Sequence, residues 1–123
     1  MSKYGVVLVS HVPELVVGLY RLLKEIAKAV PITIAGGLED ETVGTSFAKI
    51  QQAIDENPAD ELLVFYDLGS AKMNLEMVQE LVDRQITIYD VAFVEGSYTA
   101  TALLEAGADF QAITEQLSAL KIK

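Results

Sequence analysis

The chain has 123 residues, enough for one compact domain with a real core and too few for two, so residues 1–123 are read as a single domain. Hydrophobic residues make up 51% of it and cysteines are absent, which argues against disorder and excludes disulfides and thiolate metal sites. The net charge of −9 disfavours nucleic acid and anionic lipid as partners, and no stretch approaches the ~20 apolar residues of a membrane span. The short apolar run at the N-terminus carries no signal-peptide cleavage site, so a cytoplasmic location is expected.

The first predicted element is a strand over Tyr4 to Val9, continuously apolar as expected of a strand buried on both faces. A helix beginning near Pro13 follows, with Leu15, Leu19, Leu22 and Ile26 on one face. Ile32 to Ala35 predicts the second strand. The next helix begins near Gly44, with Phe47, Ile50 and Ile54 as its stripe. Glu61 to Tyr66 is the third strand, followed by a helix carrying Met77, Val78, Leu81 and Val82 on one face. Ile86 to Val91 predicts the fourth strand. Two helices close the chain: Ser97 to Ala106, stopped by Gly107, and one capped by Asp109 with Phe110, Ile113, Leu117 and Leu120 as its stripe.

The order β-α-β-α-β-α-β-α-α predicts an α/β fold, a doubly wound four-stranded parallel sheet with helices on both faces. With strands ordered 2-1-3-4, function is expected beyond their carboxyl ends, where the order reverses. Polar and glycine residues gather at those ends: Ser10-His11, Gly36-Gly37, Asp67-Leu68-Gly69-Ser70 and Val94-Glu95-Gly96.

His11 is the single histidine of the chain. Imidazole is nucleophilic and close to neutral near pH 7, so it can take up a phosphoryl group and pass it on when one ring nitrogen is free and the other is held. In the 2-1-3-4 order Asp67 lies beside His11 and can hold it. A strand-end histidine is also an ordinary surface residue, and Asp67, Thr45, Ser46 and Ser70 taken singly are ordinary turn or cap residues. Together, the helix starts at Gly44-Thr45-Ser46 and Gly69-Ser70 offer amide cradles for phosphate. No Walker A loop and no metal-ligand spacing is present, so no metal is expected. Glu95 is assigned no role.

The combination of Ser10-His11, Gly36-Gly37, Gly44 to Ser46, Asp67 to Glu76 (DLGSAKMNLE) and Val94 to Gly96 resembles the mannose-type enzyme IIA domains of the bacterial phosphotransferase system. Within that superfamily it is most similar to the phosphotransferase subunits of PTS-dependent dihydroxyacetone kinases. The resemblance spans nearly the whole chain. It implies phosphorylation of His11, its orientation by Asp67, and no cofactor. It implies HPr as phosphoryl donor, ADP held in a DhaL subunit as acceptor, dihydroxyacetone on DhaK as final substrate, and a homodimer. A sugar-transport enzyme IIA, passing phosphate to a IIB domain, is the alternative. Two positions depart from the family pattern. Val12-Pro13 follows His11 where many relatives have a serine, and the fourth strand lacks the proline usual before Val94-Glu95-Gly96. These leave the details of the phosphate cradle open.

A response-regulator receiver shares the aspartate ending the third strand but needs an acidic pair after the first strand and a lysine after a later one. Neither is present in the expected place. A non-catalytic binding module would leave His11 incidental.

Overall fold

The computed structural model describes residues 3–123. In chain order the elements are β1 (Tyr4–Ser10), α1 (Pro13–Ile26), β2 (Ile32–Gly36), α2 (Phe47–Glu56), β3 (Glu61–Tyr66), α3 (Ser70–Leu81), β4 (Gln85–Tyr89), α4 (Phe93–Glu105) and α5 (Phe110–Ser118). The strands form one parallel sheet, as the alternating pattern predicts, in the expected order β2-β1-β3-β4. Alternation along β1 divides the core in two. Val6 and Leu8 face α1, α4 and α5, joined by Leu63 and Phe65, while Val7 and Val9 face α2 and α3, joined by Val64 and Tyr66. Both sheet faces are therefore covered, and the central strands are apolar between their end residues because neither side of them meets water there.

Two helical faces differ from the periodicity reading. In α1 the buried positions are Val16, Leu19 and Leu23, whereas Leu15 and Leu22 are exposed. The α1 sequence PELVVGLYRLLKEI carries two overlapping apolar stripes, and only packing on the sheet selects between them. In α3 the buried positions are Ala71, Leu75 and Val78, with Met77 and Leu81 exposed and Val82 outside the helix as its cap. Leu120 likewise lies beyond the end of α5.

The fourth strand and the helix after it are also displaced. β4 ends at Tyr89 rather than Val91, and α4 starts at Phe93 rather than Ser97, so Val94-Glu95-Gly96 forms its first turn instead of a loop. Gly96 lies within the helix, where a Cβ would sit 2.3 Å from Val91 Cγ2, so glycine is what allows Val91 to pack against this turn.

Asn57 and Arg84 brace the other end of the sheet. Fully buried Asn57 donates from Nδ2 to Val6 O (3.1 Å) and accepts from Ala59 N (3.1 Å). The Arg84 guanidinium donates to Ala59 O (2.7 Å), Ile54 O (3.1 Å) and Asn57 O (2.5 Å), satisfying carbonyls at the end of α2. With that end occupied by structure, the carboxyl ends of the strands are left for chemistry. No helix among the described residues is long and apolar enough to cross a membrane.

Candidate active site

The site is built where the strand order reverses. The chain leaves β1 toward β2 on one side and returns through β3 on the other, which opens a crevice past β1 and β3. The β1–β3 register pairs Val9 with Tyr66, so the residues that follow, Ser10-His11 and Asp67, emerge side by side.

Asp67 then collects four donors. Its Oδ2 accepts from the Ser10 hydroxyl (2.9 Å) and the His11 main-chain N–H (2.9 Å), and its Oδ1 from Leu68 N (2.7 Å). Oδ1 also lies 2.8 Å from His11 Nδ1, and an ionised carboxylate only accepts, so Nδ1 carries the hydrogen. Burial pushes the Asp67 carboxyl up, but the hydrogen bonds from His11, Ser10 and Leu68 outweigh it and hold it below the usual carboxylate range. Nδ1–H fixes the tautomer and leaves the lone pair on Nε2, which faces the Ser70 hydroxyl at 2.6 Å. The His11 side chain keeps 15% of its surface exposed and Asp67 12%, so the site is shallow and the imidazole reachable.

The segments around the ring are held by their own main chain. Ser10 O accepts from Gly37 N (3.1 Å), and His11 O accepts from Gly44 N (2.9 Å). Gly36 and Gly37 are required there. A Cβ on Gly36 would sit 2.5 Å from Val16 Cγ1, and Gly37 has φ +73° against the Pro13 ring. Val12 is the N-cap of α1 and caps nothing with its side chain; its N–H donates instead to Ser10 Oγ (3.1 Å). Ser10 thereby links the start of α1 to the Asp67 carboxylate, a function that its place beside His11 hints at but pattern alone does not assign.

The residues expected around the phosphate are only partly brought together. Ser70, the first residue of α3, contacts His11 directly, and Gly69 precedes it as the N-cap. The amides of Gly69 and Ser70 have no acceptor among the described residues, while those of Ala71 and Lys72 fold back onto Leu68 O and Gly69 O. Thr45 Oγ1 is occupied by Asn74 Nδ2 (2.9 Å), which ties the β2–α2 loop to α3. Ser46 Oγ caps α2 through Lys49 N (3.2 Å). Among the described residues no hydrogen bond joins Thr45 or Ser46 to the ring. Glu95 lies exposed in the first turn of α4, and no group of three or more possible metal-ligating His, Asp or Glu residues forms among the described residues.

The chain is thus a parallel α/β domain that presents a carboxylate-held histidine at the switch point of its sheet. The chain belongs to the EIIA-man family, described as the PTS system fructose IIA component, whose sequence profile matches residues 5–114. It is 54% identical over 120 residues, 98% of both chains, to the PTS-dependent dihydroxyacetone kinase, phosphotransferase subunit DhaM, of Lactococcus lactis subsp. lactis (strain IL1403). It is 42% identical over 124 residues, 100% of both chains, to the PEP-dependent dihydroxyacetone kinase 1, phosphoryl donor subunit DhaM, of Listeria innocua serovar 6a. A crystal structure of a protein of unknown function has the same fold, with a TM-score of 0.86 and 25% identity over 98% of this chain and 97% of that one.

Proposed function

We propose that this protein is the phosphocarrier subunit of a PTS-dependent dihydroxyacetone kinase; the relative at 54% identity is named the phosphotransferase subunit of such a kinase, and the one at 42% the phosphoryl donor subunit of a PEP-dependent one. The observation that carries the chemistry is the 2.8 Å contact of His11 Nδ1 with Asp67, which leaves Nε2 as the nucleophile.

In the first step the Nε2 lone pair attacks the phosphorus of phosphohistidine on HPr. The N–P bond of the donor breaks and its electron pair returns to the donor imidazole, while the hydrogen on His11 Nδ1 stays there, donated to Asp67, throughout. In the second step an oxygen of the terminal phosphate of ADP, held in a DhaL subunit, attacks the phosphorus on His11. The His11 N–P bond breaks, Nε2 regains its lone pair, and ATP forms for transfer to dihydroxyacetone on DhaK. Such transitions are loose, so positioning and charge neutralisation carry most of the catalysis.

The Ser70 hydroxyl turns from Nε2 to a phosphoryl oxygen as the N–P bond forms, and the amides of Gly69 and Ser70 at the start of α3 take the others. Thr45 and Ser46 form the outer part of this set and contribute hydroxyls only after leaving Asn74 and the α2 cap. The shallow site suits a phosphoryl group that must be handed on to a second partner. The protein acts as a homodimer in the cytoplasm, and its acidic surface steers partners with basic docking faces.

Reconstitution with enzyme I, HPr, phosphoenolpyruvate, DhaK and ADP-loaded DhaL tests this reading. Formation of dihydroxyacetone phosphate that requires this chain supports it. No product despite phosphorylated His11 gives the alternative, a sugar-transport enzyme IIA that serves a IIB domain.

A further inference from the structure

The segment after α5 does not trail away. Val91 and Lys121 form an antiparallel bridge, Ala92 N donates to Leu120 O (3.0 Å) and Ile122 N donates to Asp90 O (3.3 Å). This short ladder carries Lys123 to the carboxyl end of β3. Pairing of β3 with β4 stops at Phe65–Tyr89, so the carbonyls of Tyr66 and Asp67 lie past the last pair of the ladder. Lys123 Nζ donates to both, at 2.7 Å to Tyr66 O and 3.0 Å to Asp67 O. The same ammonium lies 4.4 Å from the centroid of the Tyr66 ring, a cation–π distance. The Tyr66 hydroxyl in turn donates to Asp90 Oδ1 (2.5 Å), and Lys72 Nζ holds Asp90 Oδ2 (2.9 Å).

Asp67 is therefore fixed at every polar atom. Its N–H donates to Val9 O (3.2 Å), its carboxylate serves Ser10, His11 and Leu68, and its carbonyl is taken by Lys123. The ammonium is the positive charge directly on the residue that orients His11. Lys72, the other lysine of this network, is committed to Asp90.

We propose that Lys123 is a positioning residue for the His11–Asp67 pair, its ammonium both clamping the Asp67 main chain and favouring the phosphorylated form of His11. The inference rests on the proposed phosphorylation of His11. Phosphorylation brings about two negative charges to Nε2, and a cation bound behind Asp67 lowers the energy of that state. Lys123 thus helps set how readily His11 gives its phosphoryl group back to the donor.

The test measures the equilibrium of phosphoryl exchange between HPr and this protein, for wild type, Lys123→Met, Lys123→Gln and Lys123→Arg, together with Tm and the NMR signal of His11 Nδ1–H. With Tm unchanged, Lys123→Met and Lys123→Gln are expected to shift the equilibrium about three- to tenfold toward phospho-HPr and to move the Nδ1–H signal. Lys123→Arg is expected to restore most of both, whereas a merely structural role would leave the exchange constant of the folded protein unmoved. An exchange constant and Nδ1–H signal equal to wild type in the neutral variants overturns the inference, as does an Arg variant as impaired as the neutral ones. If the wild type itself takes no phosphate from phospho-HPr, the functional reading fails separately, and the Nδ1–H signal still reports on the clamp.

Discussion

The Asp67 carboxylate grips His11 at two points, Oδ1 on ring Nδ1 at 2.8 Å and Oδ2 on the main-chain N–H at 2.9 Å. One side chain thereby sets both the position of the residue and the tautomer of its ring. Asp67→Asn keeps the shape but puts an N–H2, which only donates, in place of one accepting oxygen, so the side chain can no longer accept from both the ring and the main-chain N–H. The ring then turns or changes tautomer. Labelling of His11 by phospho-HPr, followed by rapid quench, is expected to slow on the order of 10²-fold or more. Labelling within a few-fold of wild type contradicts the orienting role.

Ser70 sits 2.6 Å from Nε2, where it either shields the nucleophile or serves the arriving phosphoryl group. The two roles have opposite kinetic signs. Ser70→Ala is expected to slow labelling about ten- to a hundredfold, the scale of losing one donor to transition-state charge. Stopped-flow or quench measurements that show faster labelling would assign it the shielding role alone.

Arg84 tests the separation of scaffold from site. Its guanidinium satisfies the carbonyls of Ile54, Asn57 and Ala59 at the end of the molecule away from His11. Arg84→Met leaves those carbonyls without their charged donor and is expected to lower stability by about 2–3 kcal/mol in urea denaturation. Phosphoryl transfer per folded molecule is expected to stay at the wild-type rate.

Acid should unfold the site end through its carboxylates. Burial raises the Asp67 carboxyl, yet its donors bring it below the ordinary range. Asp90 behaves likewise, burial opposed by Tyr66 and Lys72. A carboxyl held low in the folded state stabilises fully above its unfolded value, ~3.9, and loses that contribution as pH falls through the folded value. Chemical denaturation from pH 6 to pH 2 should therefore show stability falling below about pH 4, with a smaller fall in Asp67→Asn. A pH dependence in that variant as steep as in wild type contradicts the assignment.

The strands were the most legible part of the sequence. β3 spans Glu61–Tyr66 as read, and β1 and β2 each run one residue further, because continuous apolar runs flanked by polar residues admit few other structures. Alternation of elements carried the parallel sheet; the 2-1-3-4 order, one of several that alternation allows, is what brings His11 and Asp67 together. The faces of α1 and α3 were less legible, since Leu15, Leu22, Met77 and Leu81 satisfy helical spacing as well as the buried residues do. The start of α4 was misplaced because Gly96 reads as a breaker until Val91 is seen packed against it. At the site, Ser10, Asn74 and Lys123 act through contacts across 57, 29 and 56 positions of chain, for which spacing carries no signal.

The chemical stability of the bound label reports on phosphorylation of His11. Wild type and His11→Ala are incubated with enzyme I, HPr and labelled phosphoenolpyruvate, and the protein-bound label is followed in acid and in alkali. A phosphohistidine is expected: a label on the wild type that survives alkali and is lost in acid, and none on the variant. A His11→Ala protein that labels like wild type, or a wild-type label lost in alkali as an acyl phosphate would be, contradicts it.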